Sequence, residues 1–256
     1  LTVHLANHLY STTYGTNFHL TNCILARITN APSFGYACNV MTNFDDTGLF
    51  QSALGGKRYL AENSPYRNCG TTNINPSLLT GLRARTTYPP LCLTNSIASD
   101  LILTSQAARD TDTPDLGYHY APIDFWFTNV AVAATLTLTN GVVVAATGNY
   151  GLDAQAAIRS EGSPTSLNRL VNSANVQESP SIAETGSLLQ INSPTANPGL
   201  RFRFTDFSLG LGGVHRTFLN LITNSFADLT LRDCWVCGAD VSLCPSNTTA
   251  VVVGLT

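Results

Sequence analysis

The chain has 256 residues, a formal net charge of −3, 44% hydrophobic residues and only 11% charged residues. An ordinary globular domain carries about 25% charge, so a helical bundle with Glu- and Lys-rich faces is excluded, and the apolar content excludes a disordered chain. No basic stripe marks a nucleic-acid footprint, and no apolar run reaches the ~18 residues of a membrane helix, so neither nucleic acid nor membrane insertion is expected.

Thr, Ser and Asn supply the missing polarity, which points to an all-β chain with many turns. The residues from Leu1 onward read as the middle of a structured region. Ala250 to Thr256 read as a strand stopped in mid-pattern, so a piece of a longer protein is expected. Residues 1–44 read as coils of a solenoid. Residues 45–121 are irregular, with a helix expected over Pro76 to Thr86, started by Asn75-Pro76, and a shorter one over Thr104 to Arg109. The chain divides near residue 122, giving 1–121 and 122–256. Strands are expected at Phe125 to Val132, Thr135 to Val144, Ala156 to Arg159, Ser187 to Ile191, Leu200 to Leu209, Phe218 to Ile222 and Phe226 to Val236.

Internal similarity is the informative signal. Leu20-Thr-Asn-Cys-Ile-Leu25, Phe204-Thr-Asp-Phe-Ser-Leu209 and Leu231-Arg-Asp-Cys-Trp-Val236 share one pattern, and Leu138-Thr-Asn-Gly-Val-Val143 follows it loosely. The second and third copies are 27 residues apart, one coil of a solenoid with short strands. Leu200, Phe202 and Phe204 alternate with Arg201, Arg203 and Thr205, so apolar and polar residues take opposite faces. Asn or Asp between two short strands suits a bend, because it tolerates left-handed backbone. Gly210-Leu-Gly-Gly213 follows a strand without opening a helix and reads as a turn.

The 27-residue shift carries three expectations. Phe204 lies over Leu231. Asp206 lies over Asp233, where the two serve as turn residues, or one is protonated, pairs with Arg203 or Arg232, or shares a cation. Arg201 lies over Asp228 and forms a cross-coil ion pair. The seven cysteines fit no disulfide framework or zinc spacing. They read mostly as small core fillers, with one or two disulfides as the alternative.

Tyr66-Arg-Asn-Cys-Gly-Thr-Thr-Asn-Ile74, followed by Ala108-Arg-Asp-Thr-Asp-Thr-Pro-Asp-Leu-Gly-Tyr-His-Tyr120, resembles the blocks of large bacterial right-handed parallel β-helix proteins, the pectate-lyase-like solenoids. Asp115-Leu-Gly-Tyr-His-Tyr120 is the most specific string. The resemblance implies an all-β, right-handed parallel β-helix with an irregular inserted segment, at the cell surface or outside the cell. It implies no single activity, because the fold hosts lyases, glycosidases, adhesins and inert spacers.

The first expectation is a non-catalytic scaffold, adhesin or glycan-contacting surface, with end-to-end self-association through exposed terminal coils. The alternative is an enzyme acting on polysaccharide in a groove. Its catalytic candidates are Asp110, Asp112 and Asp115, as clustered carboxylates of glycosidase type, and His119 as an acid–base group. Lys57, Arg58, Arg201 and Arg203 are the substrate-binding candidates, with Asp45 and Asp46 as acidic partners of the first pair. No metal or cofactor is called for, apart from Ca²⁺ in the lyase reading. Tyr10, Tyr14 and Tyr150 are candidates for stacking on sugar, and His4, His8 and His19 match no metal motif.

Overall fold

The structure is a computed structural model that describes residues 1–8, 19–30, 36–43, 45–178, 186–193, 195–211, 214–221, 227–240 and 249–255. Tyr10, Tyr14, Gly212, Gly213, Ile222, Phe226 and Cys244 therefore lie outside the described residues, and Thr256 does too. The chain is predominantly β and separates into two compact units, one of residues 1–89 and 107–122, the other of residues 90–106 and 123–256. Among the described residues no helix is long and apolar enough to cross a membrane.

The second unit is a long, curled, mostly parallel sheet. Its strands form three ladders, and the chain revisits them in turn. One ladder runs through Leu91–Leu93, the start of Phe125–Val132, the start of Val143–Ala154, Asn168–Asn172, Thr205–Ser208 and the end of Asp228–Cys237. The next uses the second halves of Phe125–Val132 and Val143–Ala154, then Ser187–Ile191, Val214–Leu221 and Ala239–Asp240. The last runs through Leu101–Leu103, Leu136–Thr139, Ile158–Glu161, Gly199–Arg203, Asp228–Cys237 and Thr249–Leu255.

Period-two alternation explains why these residues pair. Phe125, Val144, Leu170 and Phe207 stack in one buried row, Val130, Leu152, Leu189 and Leu219 in another, and Leu136, Ile158, Leu200 and Leu229 in a third. Phe207 meets Phe202 and Phe218 edge-on, with centroids 5.2 and 4.9 Å apart. Each such side chain contributes roughly 1.5–3 kcal/mol on burial. The rows sit one rung apart, about 4.8 Å in a parallel ladder.

The rungs are offset by 29 residues where 27 was expected. Leu200 pairs with Leu229 and Phe202 with Leu231. Phe204 therefore lies over Asp233, and both hold left-handed backbone, at φ 48° and 53°. Phe204 takes the corner that residue type had assigned to Asp206. Asp206 instead pairs in register with Trp235 above and Arg169 below, so no stack of two carboxylates exists there. Asp228 faces Gly199 rather than Arg201, yet the expected ion pair forms, because the Arg201 guanidinium reaches diagonally to the Asp228 carboxylate.

Other expectations shift as well. The helix runs Pro76–Arg83, capped by Asn75 Oδ1, which accepts from Ser77 N at 2.9 Å. Thr104 to Arg109 is not helical. Gly210–Leu211 pairs antiparallel with the start of Val214–Leu221, so the chain does reverse there. Cys23 and Cys234 are buried fillers, whereas Cys69, Cys92 and Cys237 are exposed, and all five are free thiols. Burial pushes the Cys234 thiol up from its ordinary value.

In the first unit, Thr2–His8, His19–Asn30 and Tyr36–Asn43 form a parallel ladder. Phe50–Ala53 and Gly56–Leu60 form an antiparallel hairpin. Leu5 lies over Arg27, and again both take left-handed backbone, at φ 56° and 50°.

Candidate functional site

The segments 66–74 and 108–120 are clasped to each other. Gly70 N donates to Pro114 O at 2.7 Å, and Leu116 N to Tyr66 O at 3.0 Å. Asn22 holds both segments: its side chain brackets the Thr71 peptide, and its carbonyl accepts from Gly117 N at 3.0 Å. Glycine is required at two of these points. A Cβ on Gly70 would lie 2.6 Å from Pro114 O, and Gly117 has φ +93° with Thr2 Oγ1 2.7 Å from where its Cβ would stand.

This clasp brings Asp110, Asp115 and His119 together. His119 Nε2 lies 2.6 Å from Asp110 Oδ2, and both side chains are only 2% exposed. The other ring nitrogen of His119 faces Gly117 O at 3.3 Å. Asp110 Oδ2 also accepts from Asp115 N at 2.9 Å. Asp115 is fully engaged: Oδ1 accepts from Asn68 N at 2.8 Å, and Oδ2 from Arg67 Nη1 at 3.2 Å and from the Thr87 hydroxyl. Arg67 also donates to Leu60 O at 2.9 Å and stacks on Tyr88, its guanidinium carbon 3.6 Å from the ring centroid.

A cleft of ≈ 260 Å³ opens on this cluster, lined by Asp110, Asp112 and Asp115 with Arg109, Tyr88 and Asn68 among its neighbours. Asp112 is exposed. Asp110 Oδ1 is buried and lacks a hydrogen-bond partner among the described residues. No group of three His, Cys, Asp or Glu side chains among the described residues is arranged to hold a metal ion.

The basic candidates are dispersed. Lys57 and Arg58 are adjacent on one hairpin strand, so they point to opposite faces. Arg58 N donates to the buried Tyr120 hydroxyl at 3.0 Å. Asp46 is engaged by His4, whose hydrogen bond at 2.6 Å holds the carboxyl below its ordinary range, and by Arg27 at 3.6 Å. Arg201 is joined by Arg159 in register, and Arg203 by Glu161 and Arg232, on the outward rows of one ladder. Arg203 lies 4.8 Å from the Phe204 ring centroid.

One outward row was missed by sequence reasoning. Arg169, Asp206 and Trp235 stand in register on three successive strands. The 27-residue alignment hid it, because it set Asp206 against Asp233.

Comparisons with protein-family models, curated proteins and solved structures find no match.

Proposed function

We propose that the chain is part of a right-handed parallel β-helix of the pectate-lyase-like kind that acts outside the cell or at a cell surface as a non-catalytic scaffold contacting glycan. The sequence resemblance and the general right-handed preference of parallel crossovers support the hand. The observation that carries the functional reading is the alignment of outward polar and aromatic side chains, of differing type, over successive rungs, as in Arg159 with Arg201 and Arg169 with Asp206 and Trp235. Such rows suit a repeating polymer, and neighbour-on-neighbour stacking makes the face rigid. Self-association through end rungs belongs to the same proposal.

Against a catalytic role stands the state of the carboxylates. Asp115 spends both oxygens internally, and His119 is buried with both ring nitrogens facing acceptors. One observation favours the enzyme alternative: Asp110 lines the cleft and keeps one oxygen unpartnered.

A glycan array combined with a depolymerisation panel, each run with and without Ca²⁺, separates the two. The scaffold reading expects retained glycan and no new chain ends. Release of saccharide that disappears in Asp110→Asn would replace it with the enzyme reading. Light scattering across a concentration series tests self-association, and a single monomer mass throughout would remove that part.

A further inference from the structure

We propose that the outward row of Arg169, Asp206 and Trp235 is a sugar subsite that takes one pyranose of a linear, uncharged glycan. It rests on the glycan reading above and names where contact is made. Trp235 is 52% exposed, which leaves about half of the indole open to solvent. Its register neighbour Asp206 is held by two bonds: Oδ2 accepts from Arg169 Nε at 2.9 Å and Oδ1 from Ser208 Oγ at 2.8 Å. Asn175 Nδ2 donates to Ser208 O at 2.9 Å and holds that strand in turn.

A pyranose has an apolar C–H face and a rim of hydroxyls. An exposed indole supplies the platform for the face. The Arg169 guanidinium, oriented through its Nε by Asp206, is a pre-set donor for the rim, and Asp206 acts by holding it rather than by meeting the sugar itself. The rung spacing of about 4.8 Å sets Asp206 at roughly one sugar length from the indole along the row, with Arg169 one rung further.

The four charged groups nearest the indole in this row and corner balance one another, which suits an uncharged chain. Arg169 is neutralised by Asp206, and Arg232 by Asp233, 3.5 Å from it and two residues before Trp235. A uronate carboxylate would meet two carboxylates here without a spare cation among these four.

The test uses intrinsic fluorescence, since the chain has only two tryptophans, Trp126 and Trp235. The whole chain is titrated with cellohexaose, mannohexaose and hexagalacturonate. At least one uncharged hexasaccharide should give a saturable emission change that Trp126→Phe retains. By calorimetry, Trp235→Ala should weaken binding at least tenfold and Asp206→Asn several-fold, while Thr80→Ala on the exposed Pro76–Arg83 helix leaves it unchanged. Circular dichroism of each variant confirms the fold. Tighter binding of hexagalacturonate, or a Trp235→Ala variant that binds as the parent does, overturns the assignment. If Trp235→Ala retains glycan on the array with the parent's affinity, the row is wrong and the glycan reading stands. If the unaltered chain binds no glycan at all, both fall. Saturation by an arginine-rich peptide with no response to sugars would make Trp235 a protein contact instead.

Discussion

At single residues, the costly features are those that the next rung repeats. Left-handed backbone disfavours bulky side chains by roughly 1–2 kcal/mol per residue, yet Leu5 over Arg27 and Phe204 over Asp233 adopt it in pairs. Parallel pairing explains this, because a corner in one rung must be followed by its neighbour if both adjoining ladders are to stay hydrogen-bonded. Phe204 N donates to Arg232 O at 3.2 Å and Asn168 N to Phe204 O at 3.1 Å, so the corner peptide is held from both sides. The Asp115 cluster is a second site of concentrated cost. Arg67 and Asp115 are nearly buried and bond to each other, together with Thr87 and Asn68, while Arg67 Nε is buried without a hydrogen-bond partner among the described residues. Removing one partner of such a pair leaves a buried charge alone, which costs about 3–5 kcal/mol. Asp115→Ala is therefore expected to lower the urea midpoint by that equivalent and to release the segment around Pro114. Replacing Arg67 and Asp115 together by apolar residues should cost less than Asp115→Ala alone. A double variant no more stable than the single one would show that the pair is not the source of the loss.

At the scale of strands and corners, a polar network inside the second unit does what hydrophobic rows cannot. Asn168 is fully buried. Its Nδ2 donates to Leu138 O at 2.9 Å and Ser160 Oγ at 3.0 Å, and its Oδ1 accepts from Gly141 N at 3.0 Å. Ser160 Oγ lies 2.8 Å from Thr205 Oγ1. One side chain thus ties three strands and the Asn140–Gly141 bend. Asn168→Ala would strand several buried groups at about 1–3 kcal/mol each. We expect the loss to exceed that of Ser160→Ala in denaturant titration, and an Asn168→Ala variant within 0.5 kcal/mol of the parent, the size of a surface change, would contradict it. The strands around Leu200 and Leu229 were legible because alternation has a period of two and survives a wrong alignment. The register was not. It depends on which residue takes the corner, and an aromatic such as Phe204 gives no local sign of left-handed backbone, whereas Asn22 and Asp233 do. The same error concealed the Arg169–Asp206–Trp235 row. Asp110, Asp115 and His119 could be grouped from their closeness in the chain, but Arg67, 48 residues from Asp115, could not be assigned to them by any spacing rule.

At the scale of the whole ladder system, stability should be distributed rung by rung. Parallel strands stacked rung on rung behave as a near one-dimensional array, in which each unit is held by its two neighbours. Interior strands such as Val143–Ala154 and Asn168–Asn172 are paired on both edges. Leu91–Leu93 and Leu101–Leu103, by contrast, pair on one edge among the described residues. Hydrogen exchange should therefore be slowest at Val144, Leu170 and Phe207 and fastest along the Leu91 and Leu101 strands. Leu170→Ala, which removes a fully buried side chain from the middle of one row, should cost about 2–5 kcal/mol. Its effect should decay with rung distance: exchange should rise most in Val143–Ala146 and Thr205–Ser208, which flank Leu170, and less at Leu91–Leu93, further down the same ladder. A uniform rise across every rung would mean that the sheet opens as one cooperative block, and nearest-neighbour coupling would then not describe it.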